Sequence, residues 1–167
     1  MATVSVSSTM ITNRDATPRV LSNSRVSKGA MQVACGYCES SALDDIGSKY
    51  KFCSVPSNAR IHSVLLSCDS VGTAGAADIG IYQTTDNGGA VVDADFFKAA
   101  QSLATALKNS DVTFGNTGGL GVEEAEMPLW QALGLTADPK RDYDIVATVT
   151  TATVSAASIF LQVAYVI

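Results

Sequence analysis

The only histidine of the chain sets the first limit on its chemistry. His62 is the single imidazole in 167 residues. A Ser/His/Asp or Cys/His mechanism would have to use it, and zinc sites built on several imidazoles are excluded. His62 falls within a predicted strand and shares no recognisable motif with a second candidate base. We therefore expect a structural histidine and no enzyme activity.

Cys35 and Cys38 form a CxxC motif, the spacing of redox pairs and of half a zinc site. A thioredoxin-type motif opens a helix after a strand, whereas the flanks here indicate a strand and a polar loop. A zinc knuckle needs a second close pair, but Cys53 and Cys68 are fifteen residues apart and lie in predicted strands. We expect four free, half-buried thiols and no metal.

A glycine-rich run and the acids after it have residue types that bind ions in other proteins. Residues 115–121 (GNTGGLG) allow close approach of backbone N–H groups to an anion, but the Lys-Ser/Thr pair of a P-loop is missing. Glu123, Glu124 and Glu126 follow at the end where a phosphate would bind. The sequence favours a flexible loop and a solvated or partner-facing acidic patch, without a nucleotide or other cofactor.

Asp86, Asp93 and Asp95 are close in sequence and could in principle bind calcium. Their spacing does not match an EF-hand loop. A turn at Asp86 and a helix cap at Asp93 or Asp95 account for all three residues. We expect no calcium site.

Along much of the chain around these residues, apolar and polar residues alternate as they do in β-strands. Turn signals separate the apolar segments every 8 to 12 residues, which predicts an antiparallel β-sandwich or jelly roll with one or two short helices in its connections. In residues 60–68, alternation places His62 on the same face as Val64 and Leu66. The predicted strands are residues 30–37, 49–55, 60–68, 76–83, 143–151 and 158–167.

Two helices are predicted between these strands. One begins at Asp93 or Asp95 and extends to Leu107, because its apolar residues recur at three- and four-residue spacing. Those residues are Phe96, Ala99, Ala100, Leu103 and Leu107. The other is a short helix in residues 127–135, with Pro128 in its first turn and Gly134 at its exit.

The first 30 residues differ in composition from the rest of the chain. They contain ten Ser/Thr, four basic residues and one acid, while residues 31–167 contain seven basic residues and fifteen acids. We interpret residues 1–30 as an extended arm and residues 31–167 as one domain. The basic residues Arg14, Arg19, Arg25 and Lys28 favour an acidic partner surface, and a frayed, solvated terminus is the alternative.

The overall composition points to a surface covered by neighbours. Charged residues make up 16% of the chain, against about 25% in ordinary soluble domains. The net charge of −5 argues against a large nucleic-acid-binding face. The sequence shows no secretion signal and no apolar segment long enough to span a membrane, so we expect the chain to stay in the cytosol in which it is made.

Several strings resemble small structural proteins encoded among the head genes of tailed bacteriophages. The similarity covers roughly residues 50–167 and lies in the order of the strings as well as in their letters. The strings are residues 55–61 (VPSNARI), 77–82 (ADIGIY), 88–97 (GGAVVDADFF), 129–135 (LWQALGL), 138–139 (DP) and 143–145 (YDI).

The resemblance implies a capsid decoration or cement protein: a non-enzymatic β-sandwich or jelly roll that binds the outside of an assembled head, often as a trimer. Its partners would be the major capsid protein and further copies of itself, with no direct nucleic acid and no membrane. Its place would be the capsid surface of the virion, after assembly in the host cytoplasm. A tail or fibre-associated protein and a carbohydrate-binding β-sandwich remain alternatives.

The interface residues that we expect are the arm cations Arg14, Arg19, Arg25 and Lys28, the acids Glu123, Glu124 and Glu126, and Trp130. Trp130 is the candidate anchor, because buried aromatic side chains contribute much of the binding energy of interfaces. The alternative is a tryptophan in the core of the domain.

Overall fold

The computed structural model describes residues 6–21, 23–24, 29–42 and 44–167. That part of the chain contains eight strands and a few short helical segments. The strands are β1 (Met31–Ser40), β2 (Lys49–Pro56), β3 (Arg60–Cys68), β4 (Ala76–Gln83), β5 (Val91–Ser102), β6 (Leu107–Asp111), β7 (Asp142–Thr151) and β8 (Ala157–Val166). The α-helices are α1 (Thr9–Asp15) and α2 (Leu129–Ala132), and 3-10 turns lie at Thr85–Asn87 and Val122–Glu124.

The strands form two four-stranded antiparallel sheets around one core. Sheet A has the order β1-β8-β3-β6, and sheet B has the order β2-β7-β4-β5. Every connection between consecutive strands passes from one sheet to the other, except the hairpin from β4 to β5. The predicted mainly-β sandwich with short helices in its connections is confirmed.

The core lies between the sheets because strands with a period of two bring alternate apolar side chains to one face. Sheet A contributes the buried side chains of β3 and β8, and sheet B contributes those of β4 and β7. The largest fully buried side chains are Phe97, Leu66, Ile79, Ile81, Leu103, Leu129, Ile145, Ile159 and Leu161.

The predicted helix from Asp93 or Asp95 to Leu107 is wrong, because these residues form β5 and the start of β6. In the pairing with β4, Ile79 lies opposite Lys98 and Ile81 opposite Asp93, so β5 has extra residues at this point. Phe96 and Phe97 are consecutive and both buried in this irregular part of β5. The bulges change the phase of the apolar residues, and their spacing then imitates that of a helix.

The bulged part of β5 lies directly on β4 at Gly80. A Cβ atom on Gly80 would lie 2.2 Å from the carbonyl carbon and oxygen of Ala94 and 2.2 Å from the carbonyl oxygen of Asp93. Glycine at this position therefore allows the backbone of β5 to approach the sheet.

A second bulge moves His62 away from its predicted face. The register between β3 and β8 shifts between Ile61 and Ser63, so His62 is exposed while Val64 and Leu66 are buried. The predicted alternation through His62 is wrong, because a bulge reverses the facing of the residues on either side of it. The expectation of no catalytic role is not tested by this placement.

The short helix predicted in residues 127–135 is present as α2. Leu129, 1% exposed, places its side chain in the core. The backbone N–H groups of Leu129 and Trp130 donate to the carbonyl oxygens of Ala59 and Ser57 at 2.8 and 2.9 Å. The helix is thus attached to the turn between β2 and β3.

The N-terminal segment contains a helix that the sequence pattern does not reveal. Ser8 caps α1, and its side chain accepts a hydrogen bond from the N–H of Ile11 at 3.4 Å. No residue of α1 is buried, so the helix has no apolar stripe from which a periodicity could be recognised.

Candidate interaction surface

The two cysteines of the CxxC motif lie on opposite faces of β1. Cys35 is exposed on the outer side, whereas the Cys38 thiol donates to the carbonyl oxygen of Lys51 at 3.3 Å. Residues three apart in a strand point in opposite directions, so the pair cannot clamp a metal ion or close a disulfide in this conformation. Burial raises the pKa of Cys38, which keeps the thiol protonated.

The other two cysteines are also unsuited to act as nucleophiles. Burial raises the pKa of Cys53 to about 12, and burial raises that of Cys68 as well. A thiol must ionise to attack or to bind a metal. All four cysteines are free, but the prediction that all are half-buried holds only for Cys38 and Cys53, because Cys35 is exposed and Cys68 is buried.

The glycine-rich run 115–121 covers the edge of sheet B. The N–H of Gly115 donates to the carbonyl oxygen of Phe97 at 2.9 Å, and the N–H of Leu120 donates to that of Phe96 at 2.8 Å. A Cβ atom on Gly119 would lie 2.0 Å from the carbonyl oxygen of Phe96. The expected flexible loop is therefore attached to β5, and its glycines allow two backbones to meet.

The three aspartates considered for calcium lie on two different elements. Asp86 lies in a 3-10 turn, while Asp93 and Asp95 lie on the bulged part of β5. Desolvation is the main cause that raises the pKa of Asp93, and hydrogen bonding and charge repulsion from Asp95 add to it. Within the described ranges, the structure shows no group of three or more His, Cys, Asp or Glu residues that could hold a metal ion.

The acids of the predicted patch lie in the connection between β6 and β7, residues 112–141, hereafter the β6–β7 connection. Glu124 has a structural role, because its Oε2 accepts a hydrogen bond from the N–H of Gly121 at 3.0 Å. Glu123 and Glu126 are exposed. Two of the three acids are thus available to a partner.

Trp130 is neither fully buried in the core nor fully exposed to a partner. Its neighbour Leu129 is the core residue of α2, while the side chain of Trp130 is half-buried. The hydrogen bond from its N–H to Ser57 fixes the backbone. A half-buried ring on a fixed backbone can contact a partner without a large loss of entropy.

The β6–β7 connection also exposes large apolar side chains that the sequence reading did not single out. Val122 is 71% exposed, and three other side chains of the connection are 37 to 41% exposed. Those three are Phe114, Met127 and Leu135. Apolar side chains next to exposed acids are typical of a surface that another protein covers.

Of the predicted arm cations, the structure describes Arg14 and Arg19, and both are exposed. Arg14 forms an ion pair with Asp15, with Nε and Oδ1 2.7 Å apart. Arg25 and Lys28 lie outside the described residues.

The arm and the β6–β7 connection meet at a cavity of about 270 Å³ on the outside of sheet A. Met10 of α1, His62 and Arg60 of β3, Glu126 and Val166 all line it. The Nε of Arg60 donates to the carbonyl oxygen of Glu126 at 2.9 Å. Sequence reasoning did not bring these segments together, because no local pattern reports a contact between residues so far apart.

No helix in the described ranges has both the length and the apolar character needed to cross a membrane.

No protein-family model matches the chain, and no curated protein matches it. It is similar to a solved structure described as "Cyanophage Pam1 capsid asymmetric unit", with 14% sequence identity and a TM-score of 0.49. The match covers 83% of this chain and 86% of that chain. A likeness of this size carries no argument about function, which has to come from the residues of the chain itself.

Proposed function

We propose that the chain is a non-enzymatic structural protein of a phage virion, specifically a capsid decoration or cement protein. The observation that carries the proposal is the β6–β7 connection, which exposes Val122 and partly exposes three further large apolar side chains in the same segment as the exposed acids Glu123 and Glu126. A soluble chain that leaves such side chains uncovered on a fixed loop favours a protein partner. The strings that resemble phage head proteins make the major capsid protein the partner that we propose.

We class residues 31–167 as a jelly-roll domain and residues 1–30 as its arm. The strand orders 1-8-3-6 and 2-7-4-5, with crossings between the sheets, support this class. The described part of the arm lies beside the β6–β7 connection through the cavity at Met10 and Glu126. Both could therefore contact the same coat surface.

The proposed action is stabilisation by mass action. A protein that binds the assembled shell and not the separated coat subunits raises the temperature at which the shell opens. Contacts that are weak individually add up when they repeat over a symmetric shell. No direct contact with nucleic acid or membrane is proposed, and the place of the protein is the capsid surface after assembly in the host cytoplasm.

We also propose that the protein binds as a homotrimer, as the resemblance to decoration proteins implies. Sedimentation velocity of the purified chain would show species whose masses are three chains or a multiple of three, and light scattering of the protein released from heads would show the same. A monomer in both measurements would contradict this part of the proposal.

Cosedimentation with undecorated heads tests the β6–β7 connection. Val122→Asp and Met127→Asp place a charge on the proposed interface, and Trp130→Ala removes its aromatic anchor. We expect each to weaken head binding about tenfold or more, which corresponds to about 1.4 kcal/mol. Val154→Asp is the matched control, because Val154 is 59% exposed outside this connection. Equal binding by Val122→Asp and Val154→Asp would contradict the proposal.

Deletion of residues 1–30 tests the arm. We expect a folded domain, checked by circular dichroism, that no longer stays on heads. Unchanged occupancy of heads would remove the arm from the interface and leave the β6–β7 connection as the proposed contact.

A further inference from the structure

β1 is an edge strand without a second neighbour. It pairs with β8 along its whole length, from Met31 opposite Val166 to Ser40 opposite Ala157. On its other side, no strand in the described part of the chain pairs with it. An edge strand presents a row of unpaired N–H and C=O groups to which another chain can add.

The other three edges are protected in ways that β1 is not. Residues 115–120 cover β5 with backbone hydrogen bonds. β2 carries exposed Lys49 and Lys51, and β6 has only five residues, with exposed Lys108 and Asp111 among them. Coverage, charge and short length are the usual means of preventing edge pairing. The only charged residue of β1 is Glu39, near its end.

The outer side of β1 is apolar as well. Met31, Val33 and Tyr37 are more than half exposed, and Cys35 between them is exposed too. The inner side carries small residues, and at Gly36 a Cβ atom would lie 1.8 Å from the carbonyl oxygen of Phe52. The larger apolar side chains of this strand thus point away from the core.

We propose that β1 pairs antiparallel with β1 of a second copy, across a two-fold axis at Cys35. This register places Val33 opposite the partner's Tyr37 and Cys35 opposite the partner's Cys35. The outward side chains of β1 are those of its odd-numbered residues, so the two copies match faces only when odd-numbered residues lie opposite odd-numbered residues. The proposed register meets this condition over residues 31–39. Sheet A then continues into the sheet of the partner.

Neighbouring registers that also match faces are less favourable. An axis at residue 34 pairs only residues 31–37. An axis at Gly36 places two glycines opposite each other and pairs Val33 with Glu39 instead of Tyr37. Cross-strand pairs of aromatic and β-branched side chains, such as Tyr37 with Val33, are among the stabilising ones.

The pairing does not rest on the proposed function, and it is compatible with a three-fold contact made by another surface. On a shell, a two-fold contact of this kind would join neighbouring copies of the protein. It is tested on the purified full chain in the absence of heads, so its failure is distinct from failure of the capsid proposal.

Oxidised glutathione provides the first test. In the proposed register, two Cys35 thiols would be oxidised to one intermolecular disulfide, while one glutathione disulfide is reduced to two glutathione molecules. Opposite residues in antiparallel strands have Cα atoms about 4.5 to 5.5 Å apart, within the range that a disulfide spans. We expect a disulfide-linked dimer that is lost in Cys35→Ser and retained in Cys38→Ser. The same dimer in Cys35→Ser would overturn the register.

Charge exchange provides the second test, measured by sedimentation velocity. Val33→Lys with Tyr37→Lys places like charges opposite each other in both halves of the contact, and we expect association to weaken about tenfold or more. Val33→Lys with Tyr37→Glu places opposite charges there, and association should recover towards that of the unchanged chain. Val91→Lys is the control on β5, since Val91 and Val33 are both 55% exposed.

Two results would overturn the pairing. One is equal behaviour of the two double variants. The other is an unchanged chain that is monomeric at all concentrations. If that monomer binds heads and only the like-charge variant fails to bind them, the β1 edge contacts the coat protein instead of a second copy.

Discussion

The outer faces of the two sheets differ in how far their outward tyrosine side chains are covered. On sheet B, Tyr82 points outward and is still only 2% exposed, because the Lys49 ammonium lies 4.9 Å from its ring centroid and its hydroxyl hydrogen-bonds to Thr148. On sheet A, Tyr37 points outward from β1 and is 61% exposed. The chain therefore covers Tyr82 on sheet B and leaves Tyr37 on sheet A uncovered.

The difference supports the proposed pairing through β1. Lysine side chains can cover apolar surface with their methylene stems and keep the charge in water. Sheet B uses Lys49 in this way, and Lys51 forms an ion pair with Asp144 at 3.4 Å on the same face. β1 of sheet A has no lysine or arginine. A face without its own cover is the one that a partner can cover.

The largest expected effect contrasts the two tyrosines. Tyr82→Ala removes a buried ring from sheet B and should lower the free energy of unfolding by about 3 to 5 kcal/mol. Tyr37→Ala should change it by less than about 0.5 kcal/mol, as exposed substitutions usually do. Urea unfolding of both variants measures the difference. Equal losses would mean that the two outer faces are covered to the same extent.

The next effect concerns the cover that β5 places on sheet B. Gly80→Ala drives a methyl group into the backbone of residues 93–94, and we expect a loss of about 3 kcal/mol in the free energy of unfolding. Gly134→Ala is the control, because it introduces backbone strain without steric overlap. A methyl group at this position would meet no atom within 4 Å, while the φ of Gly134 is +73°. That variant should lose only about 1 kcal/mol. A Gly80→Ala protein as stable as Gly134→Ala would show that β5 can move away from the sheet.

The cation over Tyr82 should have a smaller effect. Lys49→Ala removes the ammonium from the ring face and part of the apolar cover, at a cost of about 0.5 to 1 kcal/mol. Lys108→Ala on β6 is a control with an exposed lysine. Thermal unfolding of both variants measures this effect, and a loss for Lys108→Ala as large as that for Lys49→Ala would contradict the assigned role.

The smallest effect is a pH dependence on the sheet A face. The hydroxyl groups of Tyr37 and Ser158 donate to Glu39 and lower the pKa of its carboxyl group. A lowered pKa stabilises the folded state above the ordinary carboxyl range, and this contribution is lost as the pH falls below about 4. Glu39→Gln should therefore be slightly less stable than the unchanged chain at pH 6, with the difference vanishing near pH 3. Urea midpoints at both pH values test it, and a difference that grows on acidification would have the wrong sign.

Six of the eight strands could be predicted from the sequence, whereas β5 and β6 could not. Alternation places β1 to β4, and β-branched content places β7 and β8. The sequence of β5 instead predicts a helix, because its bulges give the apolar residues three- and four-residue spacing. A bulge depends on the partner strand, and a single strand's sequence does not contain that information.

The candidate surface could be predicted only in part. Glu123, Glu126 and Trp130 lie in one connection, as the sequence indicated. The outer face of β1 was missed because Met31, Val33 and Cys35 look like the core side of a half-buried strand. The structure places them outside, since Gly36 must face the backbone of Phe52. The close approach of β1 to β2 is a tertiary constraint. Because of it, the apolar side chains that hydrophobicity alone would place in the core point outward.

Thermal challenge of heads tests the central claim most directly. Undecorated heads would be mixed with increasing amounts of the purified protein, sedimented to measure occupancy, and then heated until the shells open. We expect saturable binding and a disruption temperature that rises with occupancy, because the proposed cement protein would bind the assembled shell and not its separated subunits. Heads that bind no protein, or that open at the same temperature with full occupancy, would contradict a cement function.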